Sequence, residues 1–76
     1  MFNAKEIKDL MDAQPFRPFR IWLSDGSQQE VTNHDAAFVT RNCVEIGVNQ
    51  DPDGIAERLV RCAILHISRI EELQAA

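Results

Sequence analysis

Between Phe19 and Ser24 the chain alternates strictly, with Phe19, Ile21 and Leu23 apolar and Arg20, Trp22 and Ser24 set between them. A period of two is the mark of a half-buried strand with one face turned to a core. Upstream the period changes. Ile7, Leu10 and Met11 fall at i, i+3 and i+4 among Lys5, Lys8, Asp9 and Asp12, which predicts an amphipathic helix over about residues 4–13. Asn3 and Glu6 have the spacing of a capping box, and Phe2 and Ile7 that of a hydrophobic staple. Pro15 ends the helix. Pro15 and Pro18 together fix φ and extend the residues before them, which makes a stiff lead into the strand.

The strand ends at Ser24-Asp25-Gly26, and the register of the following hairpin can be chosen on its faces. A two-residue turn at Asp25-Gly26 would set Ile21 opposite Glu30 and Arg20 opposite Val31, mixing apolar and charged groups on both sides. A three-residue loop with Gly26 left-handed in a bulge instead pairs Phe19 with Val31, Ile21 with Gln29 and Arg20 with Glu30. Val31 then joins the core wall and the charges meet outside, so this second register is expected.

Residues 33–37 form a turn or a single helical turn leading into Phe38-Val39-Thr40. Val44, Ile46 and Val48 alternate with Cys43, Glu45 and Gly47 as a further strand, and Asn49–Gly54 has loop composition. The last third fits two periods. Leu59, Ala63, His66, Ile70 and Leu73 suit one long helix, whereas Arg58–Cys62, a tight turn at residues 63–65 and a closing strand at 66–73 suit a sheet. The strand reading is preferred because the earlier strands need more sheet to cover their edges.

Seventy-six residues make one domain, near the lower size limit for a self-sufficient core, so self-association is expected. No apolar run approaches the roughly 20 residues that cross a bilayer. The N-terminus MFNAKEIKDLMDAQ has neither the apolar segment nor the cleavage site of a signal peptide, which predicts a cytoplasmic protein with no membrane partner. Two cysteines, Cys43 and Cys62, suit reduced thiols better than a disulfide scaffold. The net charge of −4 works against general attraction to nucleic-acid phosphates.

Candidate chemistry is sparse. Cys62 and His66 are the one closely spaced pair of soft ligands, short of a zinc motif, so no metal or cofactor is expected. His66 with Ser68 on one strand does not build a nucleophile, and Asp25, Asp35, Asp51 and Asp53 sit where turns use Asp. Gly26, Gly47 and Gly54 are too far apart to cradle a phosphate. No catalytic residue is assigned. What remains is a surface of Arg17, Arg20 and Trp22, of the kind that forms a contact hot spot or a platform for bases.

The residues PFRPFRIWLSDG, with Glu30-Val31 and Leu65-His66-Ile67-Ser68-Arg69-Ile70-Glu71, resemble a widespread group of short, uncharacterised bacterial proteins. That likeness implies a bacterial source and a helix followed by strands, without an activity. More loosely, the order of elements is similar to that of Sm-like proteins, RNA-binding small β-barrels that assemble into rings. On that resemblance Arg61-Cys62 stands where the family has Arg-Gly, and Asp35 and Val39 stand where an Asp and an Asn flank the base pocket. The expectation is an α+β domain: an N-terminal helix on a bent antiparallel sheet of about five strands, or a small Sm-like barrel. Its expected role is a non-enzymatic protein-binding or self-assembling module in a homo-oligomeric state; the alternative is an Sm-like RNA binder using Arg61.

Overall fold

A computed structural model describes residues 1–73. The helix α1 spans Ala4–Asp12, and both arms of the capping box are made: the Asn3 side chain accepts from the Glu6 amide (2.9 Å) and Glu6 Oε1 accepts from the Asn3 amide (3.1 Å). Ile7 and Met11 are buried, with Leu10 half-buried beside them. Two exposed pairs, Lys5–Asp9 and Lys8–Asp12, run along the outer face.

Six strands follow: β1 (Phe19–Leu23), β2 (Gln28–Val31), β3 (Ala37–Val39), β4 (Cys43–Val48), β5 (Arg58–Ala63) and β6 (Ile67–Glu72). The expected α+β class, an N-terminal helix with antiparallel strands, is what the chain adopts; its strands form two three-stranded sheets, ordered β2-β1-β6 and β3-β4-β5, six strands where about five in one bent sheet were expected. The sheets do not close into a barrel. The extra division comes from the turn after Val31. The Asn33 side chain accepts the Asp35 amide (2.9 Å) and the Asn33 carbonyl accepts the Ala36 amide (3.1 Å), so local bonds replace ladder bonds there.

The first hairpin has the expected register, Phe19 with Val31, Arg20 with Glu30 and Ile21 with Gln29. Gly26 sits at φ 89°, a left-handed conformation that costs glycine little. The Leu23 amide donates to the Ser27 carbonyl (2.9 Å) and the Gly26 amide to the Leu23 carbonyl (2.9 Å), closing a three-residue loop. A short 3₁₀ turn, Ile64–His66, carries the chain from β5 in one sheet to β6 in the other. The tight turn thus lies one residue later than its composition suggests, and the last third is strand rather than continuous helix.

Phe19, Ile21, Val31, Val44, Ile46, Cys62, Ile64 and Ile67 meet Ile7, Met11 and Ala36 in one core, with Leu23 packed at its margin. Among the described residues no polar or charged side chain is buried with them. No helix among these residues is long and apolar enough to cross a membrane.

Candidate functional site

Strand alternation puts Arg20 and Trp22 together on the outer face of the first sheet, and pairing with β6 brings Arg69 directly beside Trp22. The Arg69 guanidinium stands 4.5 Å from the indole centroid and that of Arg20 stands 6.0 Å away. Contacts of this kind are worth about 0.5–1 kcal/mol at exposed sites. Arg69 was not singled out from the sequence; its place becomes legible only once β6 is known to pair with β1.

Arg20 occupies the middle strand with a carboxylate on each side, Glu30 on β2 and Glu71 on β6, the latter at 3.7 Å. Arg17, at the entry to β1, lies 3.9 Å from Glu72. Every arginine that a phosphate would seek here except Arg69 already faces a carboxylate. The Trp22 Nε1 and Arg20 Nε atoms are buried and have no hydrogen-bond partner among the described residues, so the indole lies partly under its neighbours rather than standing outward as a bare platform.

Arg61 is on the other sheet, apart from the Arg17, Arg20 and Trp22 group. It donates Nε (3.1 Å) and Nη2 (2.9 Å) to Glu45 Oε1 across the β4–β5 ladder. That bond holds the guanidinium charged still more firmly than usual. Large apolar side chains stand exposed opposite Glu45, two residues from Arg61, and ahead of β5. Phe38 on β3 and Leu59 on β5 are 70% and 64% exposed, and Ile55, ahead of β5, is 66% exposed.

Grooves flank the sheets. A polar one of about 870 Å³ runs past Glu30, Asp35, Asp51, Asp53 and Arg58. Of its acids, Asp51 serves a turn, its Oδ1 accepting the amides of Asp53 (3.0 Å) and Ile55 (2.9 Å), while Glu30 pairs with Arg20 and Asp35 lies against His34. Among the described residues no three metal-ligating side chains converge. An apolar groove of about 690 Å³ lies between the start of α1 and the 3₁₀ turn, lined by Phe2, Arg41, Cys43, Ile64 and Leu65.

Reactive groups are dispersed. Ser68 Oγ donates to the Trp22 carbonyl (3.2 Å), while Ser24 Oγ lies 3.4 Å from His66 Nδ1 on an exposed rim. Asp25, the acid nearest that pair in sequence, binds Ser27 through the hydroxyl (2.6 Å) and amide (2.9 Å). Those bonds, the hydroxyl foremost, hold its carboxyl below the ordinary value. Among the described residues a hydroxyl, a base and an orienting third group do not assemble.

No known protein-family model matches this chain, and no curated protein or solved structure shows significant similarity to it.

Proposed function

We propose that the chain is a non-enzymatic module that assembles with itself, or docks another protein, through the second sheet. The observation that supports this reading is the outer side of that sheet, where Phe38 and Leu59 stand well exposed on the two strands flanking β4. Large apolar side chains left exposed on both outer strands of one small sheet support a contact surface. The Arg17, Arg20 and Trp22 face is the weaker choice, because its ion pairs are already made within one chain. An RNA-binding role centred on Arg61 meets the same objection, with Glu45 already on the guanidinium and a net charge of −4 around it. A bacterial cytoplasm, which keeps thiols reduced, is the setting that the two unbridged cysteines suit.

Light scattering at high micromolar concentration tests the reading. The wild-type chain is expected to exceed monomer mass, and the Phe38→Ser/Leu59→Ser variant to fold normally and run as a monomer. A wild-type monomer under those conditions, or retention of labelled RNA that collapses with added salt, overturns it.

A further inference from the structure

The groove beside the start of α1 changes character along its length. At one end Phe2, Cys43, Ala63, Ile64 and Leu65 line an apolar trough of about 690 Å³, with Leu65 standing 67% exposed. At the other end it meets a second hollow of about 330 Å³, which shares Ala4, Lys5 and Arg41 with the first and adds Lys8. None of the chain's 12 acidic residues lines either part. In a protein of net charge −4, positive charge has thus been set alone against an apolar wall.

The three cations are not equivalent. Lys5 and Lys8 are engaged by Asp9 and Asp12, each at 2.9 Å along the exposed face of the helix. Arg41 makes no ion pair among the described residues. Its turn is fixed from both sides. The Thr40 amide (2.9 Å) and hydroxyl (3.2 Å) donate to the Cys43 carbonyl, and the Ile64 amide donates to the Asn42 carbonyl (2.8 Å). The facing wall is held by the Asn3–Glu6 capping box, which keeps the Glu6 carboxylate on the Asn3 amide. The trough is therefore preformed, and its volume falls within the roughly 300–1,000 Å³ of small-molecule sites.

We propose that this groove binds a single-chain aliphatic carboxylate, its chain along Phe2, Ile64 and Leu65 and its head on the Arg41 guanidinium. The site goes beyond the assembly reading and does not depend on it. An alkyl chain in the trough takes exposed apolar surface out of water. The guanidinium fork matches the two oxygens of a carboxylate. A single unpaired cation balances a single charge, which favours a carboxylate over a dianionic phosphate. Lys5 and Lys8 add a longer-range attraction that salt screens. A cationic amphiphile would meet three like charges and no acid, and an uncharged one would leave Arg41 unpaired.

Cys43 lies in the trough and reports its occupancy through its rate of alkylation, while Cys62 is buried. Decanoate below its micelle-forming concentration is expected to protect Cys43. It should do so at about one-tenth of the concentration that decan-1-ol requires, as a charged hydrogen-bonded head implies. Decyltrimethylammonium is expected to give no protection, and each methylene removed from the carboxylate to weaken it by up to about fourfold. Arg41→Gln should close the gap between decanoate and decan-1-ol without changing the alcohol, whereas Leu65→Ser should weaken both. The Phe38→Ser/Leu59→Ser variant should keep full protection, which separates this site from the assembly surface. If decanoate and decan-1-ol act alike on the wild type, or Arg41→Gln leaves their gap intact, the proposal is overturned. It is overturned equally if no amphiphile slows alkylation, or if raising the protein concentration alone protects Cys43, since a second copy then fills the groove.

Discussion

Two glycines act at the residue scale by different means. At Gly26 a Cβ would meet nothing within 4 Å, so the cost of Gly26→Ala lies in holding alanine at φ 89°. A loss of about 1–3 kcal/mol in denaturant melts is expected. At Gly47 the backbone is ordinary, but an added Cβ would stand 3.0 Å from the Ala56 Cβ. Gly47→Ala must displace the segment before β5, and its effect should appear as faster amide exchange near residues 55–58. The cysteines differ likewise. Cys62 is 2% exposed and burial raises its thiol pKa, whereas Cys43 is half-buried. The folded pKa lies above the unfolded one, so the stability this neutral thiol contributes is complete below the ordinary thiol value of about 8.5 and is lost as pH rises through the folded value. Thiol titration should label Cys43 first, with Cys62 reacting only as the fold opens, and alkaline destabilisation should be smaller in Cys62→Ala than in wild type. Equal labelling rates would defeat this account.

At the scale of elements, what could be read ahead of the coordinates depended on whether the deciding interaction was local. The helix start is written within four residues, and Asn3→Ala should cost about 1 kcal/mol in thermal or denaturant unfolding, with Glu6→Ala adding less because it loses one exposed bond. The hairpin register was equally legible, since only one pairing keeps Val31 with Phe19 and Ile21. The last third was not. Its residues satisfy both periods, and strand prevails because β1 must bury its second edge against β6, with Ile70 opposite Ile21, a contact nearly fifty residues distant along the chain. The division into two sheets was hidden for a related reason. It involves both the Asn33 turn, where a side-chain bond competes with the ladder, and the short turn at Ile64–His66, and composition alone does not weigh such turns against continued strand. Of the proposed surface residues, Arg20 and Trp22 share a face because they are two apart on one strand. Arg61 falls elsewhere because its strand belongs to the other sheet, and Arg69 was missed because it joins Trp22 only through β6.

For the whole molecule, the two outer faces should separate experimentally. The first is closed upon itself: Trp22 lies under arginines, and Arg20 is balanced by acids from both neighbouring strands. The second ends in an exposed leucine and an arginine with one carboxylate. On the proposed assembly, removing Trp22 takes away packing within a chain, whereas removing Leu59 takes away packing between chains. Assembly stabilises the folded state by mass action, so the melting temperature of the wild type should rise with protein concentration. Trp22→Ala should lower the melting temperature at every concentration and leave that slope intact. Leu59→Ser should flatten the slope while leaving the dilute-limit melting temperature nearly unchanged, because a side chain that is 64% exposed contributes little to its own core. If Trp22→Ala flattens the slope and Leu59→Ser does not, the contact surface is the arginine–tryptophan face, and the assignment of the two sheets must be exchanged.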